Sequence, residues 1–171
     1  NVPGSVGVIV ETPAGIVVHT GDFKIDLKSD IAGKTEVEKI TALGKKNVLA
    51  LLSDSTNARE AGRQFSEQDI KVELEDVIKN AKGRLIIGTF ASLLGRLNQI
   101  IQLAEKYKKR VAVDGRSMKI NIEIAKRLGY MDFNQKTLMP LEDVNRHPPE
   151  RVIILATGAQ GEDRAVLMRL A

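Results

Sequence analysis

Four short polar segments carry residue types that bind cations or phosphate, and each follows an apolar run. They are His19-Thr20-Gly21-Asp22, Ser53-Asp54-Ser55-Thr56, Gly115-Arg116-Ser117 and the loop 157–162. A carboxylate on a glycine turn, such as that of Asp22, can hold a divalent cation. The same residues also allow a simpler interpretation, in which Asp22 stabilises its own turn and His19 pairs nearby.

The other three segments have the same ambiguity. Asp54 can fix the tautomer of a histidine and the neighbouring hydroxyls can contact phosphate oxygens, but Ser-Asp-Ser-Thr is also typical of a helix cap. The Thr157 loop would offer backbone N–H groups and a helix dipole to an anion. Arg116 can bind phosphate with its planar guanidinium or form a surface ion pair.

Apolar periodicity predicts the elements that position these segments. Runs at 6–10 and 16–19 flank a Pro/Gly turn at 11–15 and predict a hairpin, and 48–52 predicts a third strand. Further strands are predicted at 84–88, 110–113 and 151–155. Amphipathic helices are predicted around 70–81, at 91–107 and at 118–128, with a last helix after Gly161, and the buried stripe of the helix at 118–128 is expected to be Ile120, Ile124 and Leu128.

The alternation of strands and helices predicts an α/β fold with a mainly parallel sheet flanked by helices. Ligands bind such sheets at the carboxyl ends of their strands. All of the polar segments above follow strands. We therefore expect the loops after the strands to converge on one edge.

The amino-acid composition excludes only a few classes of function. The 171 residues are 43% hydrophobic and contain no cysteine, which excludes disulfides and thiolate zinc sites. No signal peptide or apolar run of about 20 residues is present, so we expect no membrane partner and a cytoplasmic location. The net charge is +4 and the pI about 9.3, which suits a polyanionic partner. The basic run 106–110 is interpreted as a solvated helix end.

The motifs, taken in order, resemble those of ribonuclease J and its β-CASP relatives, and they span nearly the whole chain. The matching strings are Val2-Pro3-Gly4-Ser5, Val18-His19-Thr20-Gly21-Asp22-Phe23-Lys24, Leu52-Ser53-Asp54-Ser55-Thr56-Asn57, Gly88-Thr89-Phe90-Ala91-Ser92, Gly115-Arg116-Ser117-Met118 and Ala156-Thr157-Gly158-Ala159-Gln160-Gly161-Glu162. The chain begins without methionine and stops within a helical pattern. We therefore expect an internal fragment of a longer protein.

The resemblance implies a fold and a metal site. Residues 1–53 would be the C-terminal part of a metallo-β-lactamase domain, joined to a β-CASP domain at 54–171. The family holds two metal ions, usually zinc, and Asp22 would bridge them with His19 behind it as an orienting residue. Asp54 would be the catalytic carboxylate that supports a histidine elsewhere in the protein. The other metal ligands would lie outside this chain, so we expect the fragment itself to bind no zinc tightly and to be inactive.

The resemblance also implies RNA contacts. Where many relatives carry an Asn and then a His-Arg pair after the Thr89 motif, this chain has Leu93, Gly95 and Arg96, so the arginine alone is expected to contact RNA. The β-CASP part would clamp single-stranded RNA. The residues expected to bind RNA or its phosphates are Ser55, Thr89, Ser92, Arg96, Arg116, Ser117, Thr157, Gly158 and Gln160.

The expected function is RNA phosphodiester hydrolysis by the full-length protein, as a 5′-to-3′ exonuclease and an endonuclease that could form a homodimer or tetramer. The main alternative is a non-catalytic β-CASP-like module that binds RNA or protein. A third possibility is a flavodoxin-like nucleotide-binding domain that uses the Thr157 loop. An upstream His-x-His-x-Asp-His string, with a histidine just before Asn1, would favour the nuclease.

Overall fold

The computed structural model describes residues 4–28, 33, 35–62 and 64–157. The chain divides into two compact units, Asn1–Gln68 and Asp69–Ala171, which we call the N-terminal unit and the C-terminal unit. The domain bounds predicted from the sequence, 1–53 and 54–171, remain a prediction.

The N-terminal unit contains a three-stranded sheet in the order β1-β2-β3. Strands β1 (Val8–Thr12) and β2 (Gly15–His19) form an antiparallel hairpin, and β3 (Val48–Leu52) runs parallel to β2. Helix α1 (Val37–Leu43) precedes β3. The hairpin turn is shorter than predicted, because Thr12 Oγ1 donates to the Gly15 carbonyl at 2.7 Å and accepts from its N–H at 3.2 Å.

Apolar side chains of this sheet remain exposed. Val8 and Ile9 are neighbours in β1, so they point to opposite faces of the sheet, and about half of each residue is exposed. Leu49 and Leu51 in β3 are more than half exposed. A small sheet needs a further layer for independent stability. The described residues do not supply such a layer.

The C-terminal unit contains a four-stranded sheet in the order β4-β7-β5-β6, and all its neighbouring pairs are parallel. The strands are β4 (Leu85–Gly88), β5 (Arg110–Asp114), β6 (Leu138–Met139) and β7 (Val152–Ala156). The helices are α2 (Glu67–Asn80), which begins with the last two residues of the N-terminal unit, α3 (Leu94–Lys106) and α4 (Arg116–Arg127). The parallel sheet expected from the alternating pattern is therefore confirmed.

The two faces of the parallel sheet are covered differently. Helices α2, α3 and α4 pack on one face, where alternate residues of β5 and β7, among them Val111 and Ile153, enter the larger apolar cluster. On the other face, Ala112 and Ile154 pack with Val144 from the 3₁₀ turn Leu141–Arg146. Burial on both faces explains why these strands are almost continuously apolar.

The buried face of α4 differs from the one predicted. Ile120, Ile124 and Leu128 are exposed, whereas Met118, Ile122 and Ala125 are buried. The helix begins at Arg116, two residues earlier than predicted, and both sets of residues recur at helical spacing. Hydrophobicity alone therefore did not distinguish the two stripes.

Lys109 corrects the interpretation of the basic run at 106–110 as solvated. Only 7% of this residue is exposed, and its Nζ donates to the Glu150 carbonyl at 2.6 Å and the Ala81 carbonyl at 3.5 Å. Burial lowers the pKa of the Lys109 ammonium, and the nearby Glu150 carboxylate partly opposes this effect. Lys109 thus joins the end of α2 to the turn before β7.

Within the described ranges, no helix has the length and apolarity needed to cross a bilayer. The predicted last helix, after Gly161, lies outside the described residues.

Candidate functional site

The loops after β2 and β3 are bound to each other in the N-terminal unit. The Thr20 N–H donates to the Leu52 carbonyl at 3.0 Å, and the Asp54 N–H donates to Thr20 Oγ1 at 3.1 Å. Thr20 in turn donates its hydroxyl to the Gly21 carbonyl at 2.7 Å. Because β2 and β3 are parallel neighbours, their carboxyl ends lie together, and the Asp22 and Asp54 segments share one rim.

The Asp54 carboxylate is held by its own turn. Its Oδ1 accepts the Thr56 N–H at 2.9 Å and the Thr56 hydroxyl at 2.7 Å. The Thr56 hydroxyl, followed by the Thr56 amide, lowers the pKa of Asp54 below its ordinary value of 3.8, and the amides of Phe23 and Ser55 lower it further. Asp54 is therefore a fixed, ionised acceptor that also contacts the Asp22 loop through Phe23.

His19 is bound to the turn that carries Asp22. Its Nδ1 accepts the Gly21 N–H at 3.0 Å, so a neutral His19 carries its proton on Nε2. Gly21 has a φ of +61°, and an added Cβ would lie 3.2 Å from the Val6 carbonyl oxygen. The tight turn therefore favours glycine, and it brings the imidazole beside the start of the Asp22 loop.

Asp22 is exposed and makes no hydrogen bond or ion pair with the described residues. The described part of the chain contains no group of three His, Cys, Asp or Glu side chains that could hold a metal ion. One carboxylate does not fit a zinc pair, so the described residues do not by themselves form the metal site implied by the sequence.

The loops after β4, β5 and β7 converge in the C-terminal unit. The Thr89 N–H donates to the Ala156 carbonyl at 3.1 Å. A Cβ added to Gly115 would lie 2.9 Å from Thr157 Cγ2 and 3.0 Å from Thr157 Oγ1. Asn121 of α4 donates its Nδ2 to the Ala91 carbonyl at 2.8 Å. The Thr89, Arg116 and Thr157 segments therefore form one rim, as the strand-end argument predicted. The expectation of a single edge for all the polar segments is wrong, because the Asp22 and Asp54 segments follow strands of the other sheet.

Two helices begin at this rim without a side-chain cap. The residue before α3 is Leu93 and the residue before α4 is Gly115, and neither supplies a capping oxygen. The first N–H groups of such helices suit an anion. Ser92, Arg116 and Ser117 are exposed beside these helix ends.

The remaining predicted contacts differ in their accessibility. Thr89 is only 4% exposed and so supports the rim in this conformation rather than presenting its hydroxyl. Arg96 and Thr157 are half-buried, and Ser55 is exposed on the rim of the N-terminal unit. Gly158 and Gln160 lie outside the described residues, so their predicted phosphate contacts stay predictions.

Sequence reasoning missed a buried polar group close to the Asp22 loop. Asp26 is 4% exposed, and its Oδ2 accepts the N–H of Glu67, the first residue of α2, at 2.9 Å. Lys24 and Glu67 form an ion pair at 3.1 Å. The partners lie 41 and 43 residues apart in sequence, so no local pattern could have indicated them.

Comparison with known families decides the assignment. The family model described as "Ribonuclease J, beta-CASP domain" matches residues 82–171, which include the whole rim of the C-terminal unit. The chain belongs to the ribonuclease J family. The resemblance in the motifs is thereby confirmed, as is an α/β β-CASP domain of the metallo-β-lactamase superfamily with its parallel sheet flanked by helices.

Curated members of the ribonuclease J family match the entire chain. Ribonuclease J of Thermus thermophilus is 44% identical over 100% of this chain and 30% of its own length. Ribonuclease J of Mycoplasma pneumoniae and ribonuclease J2 of Bacillus subtilis are each 36% identical, again over 100% of this chain, with 30% and 31% of their own lengths covered. The chain thus spans less than a third of these relatives.

Solved structures share the fold. A protein of unknown function from Enterococcus faecalis V583 superposes with a TM-score of 0.57 over 87% of this chain and 37% of that one, at 15% sequence identity. At this identity the similarity concerns the fold alone.

Proposed function

We propose that this chain is part of a metal-dependent ribonuclease that hydrolyses RNA phosphodiester bonds. The observation that carries the proposal is the match of residues 82–171 to the β-CASP domain of ribonuclease J, because that stretch contains the whole anion-suited rim of the C-terminal unit. The relatives that match the entire chain are named ribonuclease J. The exposed apolar side chains of β1 and β3 support a chain that belongs to a larger fold.

The rim of the C-terminal unit would bind the RNA backbone. The uncapped N-termini of α3 and α4 offer N–H donors, and Arg116 adds an exposed guanidinium beside them. Such groups bind phosphate without reading base sequence. We assign phosphate contacts to Ser92, Arg116 and Ser117 directly, and the predicted contacts of Ser55, Arg96, Thr157, Gly158 and Gln160 remain part of the proposal. Thr89, predicted from the sequence as a further contact, is buried and would support the rim instead.

The rim of the N-terminal unit would serve the chemical step. Asp22 is exposed and unpaired among the described residues, so its carboxylate is available to a cation completed by ligands from the rest of the protein. Two zinc ions bound there would supply an activated water for attack on phosphorus. Asp54, held in place by Thr56, would orient a histidine through its ring N–H, and His19 would hold the turn before Asp22.

Further properties follow from the same proposal. The full-length protein would act on single-stranded RNA as a 5′-to-3′ exonuclease and endonuclease, in the cytoplasm, and as a homodimer or tetramer. The 171-residue fragment would not cleave RNA, because it offers one metal carboxylate where a pair of ions needs several ligands. A non-catalytic RNA- or protein-binding module is the alternative that the following experiment separates.

The test compares full-length wild type with Asp22→Asn on 5′-labelled single-stranded RNA in the presence of zinc. We expect the wild type to cut the RNA and the variant to fall to background, because an amide lacks the charge that binds the cation. Glu38→Gln removes an exposed carboxylate from α1 and is the matched control with wild-type activity. Wild type that binds RNA without cutting it would reject the nuclease in favour of the binding module.

A further inference from the structure

A buried polar junction follows the Asp22 loop within the N-terminal unit. We call Lys24, Asp26, Thr35 and Glu67 the Asp26 junction. Asp26 is 4% exposed, and the side chains of Lys24 and Glu67 are 9% and 13% exposed. Charged groups so far removed from water require partners. Their partners in this junction belong to three separate stretches of chain.

Asp26 is the centre of the junction. Its Oδ2 accepts the Glu67 N–H at 2.9 Å, and its Oδ1 accepts the Lys28 N–H at 2.9 Å. Its own N–H donates to Thr35 Oγ1 at 2.9 Å, and its carbonyl accepts the Thr35 N–H at 3.0 Å. The carboxylate accepts the N–H of the first residue of α2 from 41 residues away, which fixes residue 26 relative to Glu67 within the N-terminal unit.

Lys24 ties the junction to the loop itself. Its Nζ lies 3.1 Å from Glu67 Oε1, and its carbonyl accepts the Thr35 hydroxyl at 3.0 Å. A buried ion pair contributes little net stability, because desolvation offsets the attraction between the charges. The ion pair and the Thr35 hydrogen bond do fix the geometry of the chain, because each of them forms only over a narrow range of distances and angles.

The Asp22 loop is consequently held at both ends. Before Asp22, Thr20 bonds Leu52 and Asp54, and directly after Asp22 the Phe23 amide contacts the Asp54 carboxylate. At its end, Lys24 and Asp26 are fixed by the Asp26 junction. Asp22, between the two attachments, has no partner among the described residues.

We propose that Asp26, through the Asp26 junction, is a positioning residue that holds Asp22 in the geometry required for hydrolysis. The inference rests on the proposed function, in which Asp22 acts at the reacting centre. Asp26 itself is buried and its carboxylate accepts two backbone N–H groups, so it would act through the loop. A pre-positioned carboxylate favours catalysis because the reaction need not also order the loop.

The decisive variant is Asp26→Asn in the full-length protein. Asparagine keeps the shape of the side chain but replaces one acceptor oxygen with a donor, which opposes either the Glu67 N–H or the Lys28 N–H. We expect kcat to fall by about 10- to 100-fold, the effect typical of lost orienting partners. KM should change by less than about twofold, because the phosphate contacts assigned to exposed side chains of the C-terminal rim, Ser92, Arg116 and Ser117, lie away from the Asp26 junction in the sequence and in another compact unit.

Hydrogen–deuterium exchange supplies a readout that does not depend on activity. We expect the amides of residues 21–24 to exchange at least about tenfold faster in Asp26→Asn, because the far end of the loop is released. Glu67→Gln weakens the ion pair with Lys24 but keeps the Glu67 N–H, so it should give the same pattern to a smaller extent. If Asp26→Asn does not fold, Glu67→Gln tests the same prediction. Glu36→Gln, in the exposed Glu36–Lys39 pair, is the matched control and should change neither readout.

The outcomes separate the two claims. Active wild type with unchanged kcat in both Asp26→Asn and Glu67→Gln overturns the positioning role. A rise in KM without a fall in kcat overturns it as well, since that result indicates lost binding. Inert wild type rejects the proposed function, and this inference with it, whatever the exchange rates show.

Discussion

Thr56 is the main cause of the lowered pKa of Asp54. The Thr56 hydroxyl is the largest cause of its lowered pKa, and the Thr56 amide is the next. We expect Thr56→Val to raise the pKa of Asp54 towards the ordinary value of 3.8, because valine has a similar shape without the hydroxyl. Carboxyl ¹³C NMR titration measures the change directly. Thr56→Ser keeps the hydroxyl and should keep the pKa low.

The lowered pKa of Asp54 also makes the stability of the folded protein depend on pH. The folded-state pKa of Asp54 lies below its unfolded value, so its ionised form contributes stability above pH about 4. That contribution is lost as the pH falls through the folded-state pKa. As the pH falls from about 4 to the folded-state pKa of Asp54, Thr56→Val should therefore lose less stability than wild type. Parallel acid unfolding curves for the two proteins would contradict the assignment of the shift to Thr56.

Gly115 allows the loops of the C-terminal rim to approach each other. Its φ is +119°, and an added Cβ would lie 2.9 Å from Thr157 Cγ2. We expect Gly115→Ala to lower the free energy of unfolding by about 1–3 kcal/mol, because alanine meets both the backbone strain and Thr157. Chemical denaturation measures this loss. Gly83→Ala, where no atom lies within 4 Å of the added Cβ, should change stability by less than about 0.5 kcal/mol.

At the scale of elements, sequence reasoning succeeded wherever the pattern is local. The β3 bounds 48–52 and the apolar strands of the parallel sheet were predicted because strand runs and turn signals lie within a few residues of each other. The convergence of the Thr89, Arg116 and Thr157 segments followed from the strand-end rule. Each of these inferences needed no knowledge of distant partners.

Sequence reasoning failed for features that tertiary contacts determine. Helix α4 carries two apolar stripes of similar spacing, and packing on the sheet selects Met118, Ile122 and Ala125 for burial. Asp26 lies in a polar stretch and its helix partner is 41 residues away. Neither feature leaves a local signal in one sequence, because both depend on how elements meet.

The orientation of α4 can be tested with one substitution at two positions. Ile122 is 3% exposed and Ile124 is 49% exposed. We expect Ile122→Ala to cost about 2–5 kcal/mol of unfolding free energy, because it leaves a cavity in the core. Ile124→Ala should cost much less, since it leaves no buried cavity. A larger loss for Ile124→Ala than for Ile122→Ala in denaturant unfolding of the 171-residue chain would mean that the stripe predicted from the sequence is the buried one.

At the scale of the whole molecule, net charge says little about RNA binding. A charge of +4 over 171 residues is modest, and several of its cations are committed to ion pairs or buried carbonyls. Binding to a polyanion therefore depends on where the remaining cations lie. The rim of the C-terminal unit places Arg116 at the start of an uncapped helix, which concentrates positive potential at one point.

The salt dependence of RNA binding tests whether that local arrangement matters more than total charge. We compare Arg116→Ala with Lys82→Ala in full-length protein that also carries Asp22→Asn, so that the RNA stays intact. Both substitutions remove one exposed positive charge, but Lys82 lies between α2 and β4, before the strand rather than after it. A cationic side chain that contacts a phosphate releases counterions from the RNA, and this release sets the salt dependence of binding. Arg116→Ala should therefore reduce the slope of log K against log salt by about 0.7 for single-stranded RNA, and Lys82→Ala should leave it unchanged. Equal reductions would attribute binding to diffuse charge, and an unchanged slope for Arg116→Ala would remove this arginine from the interface.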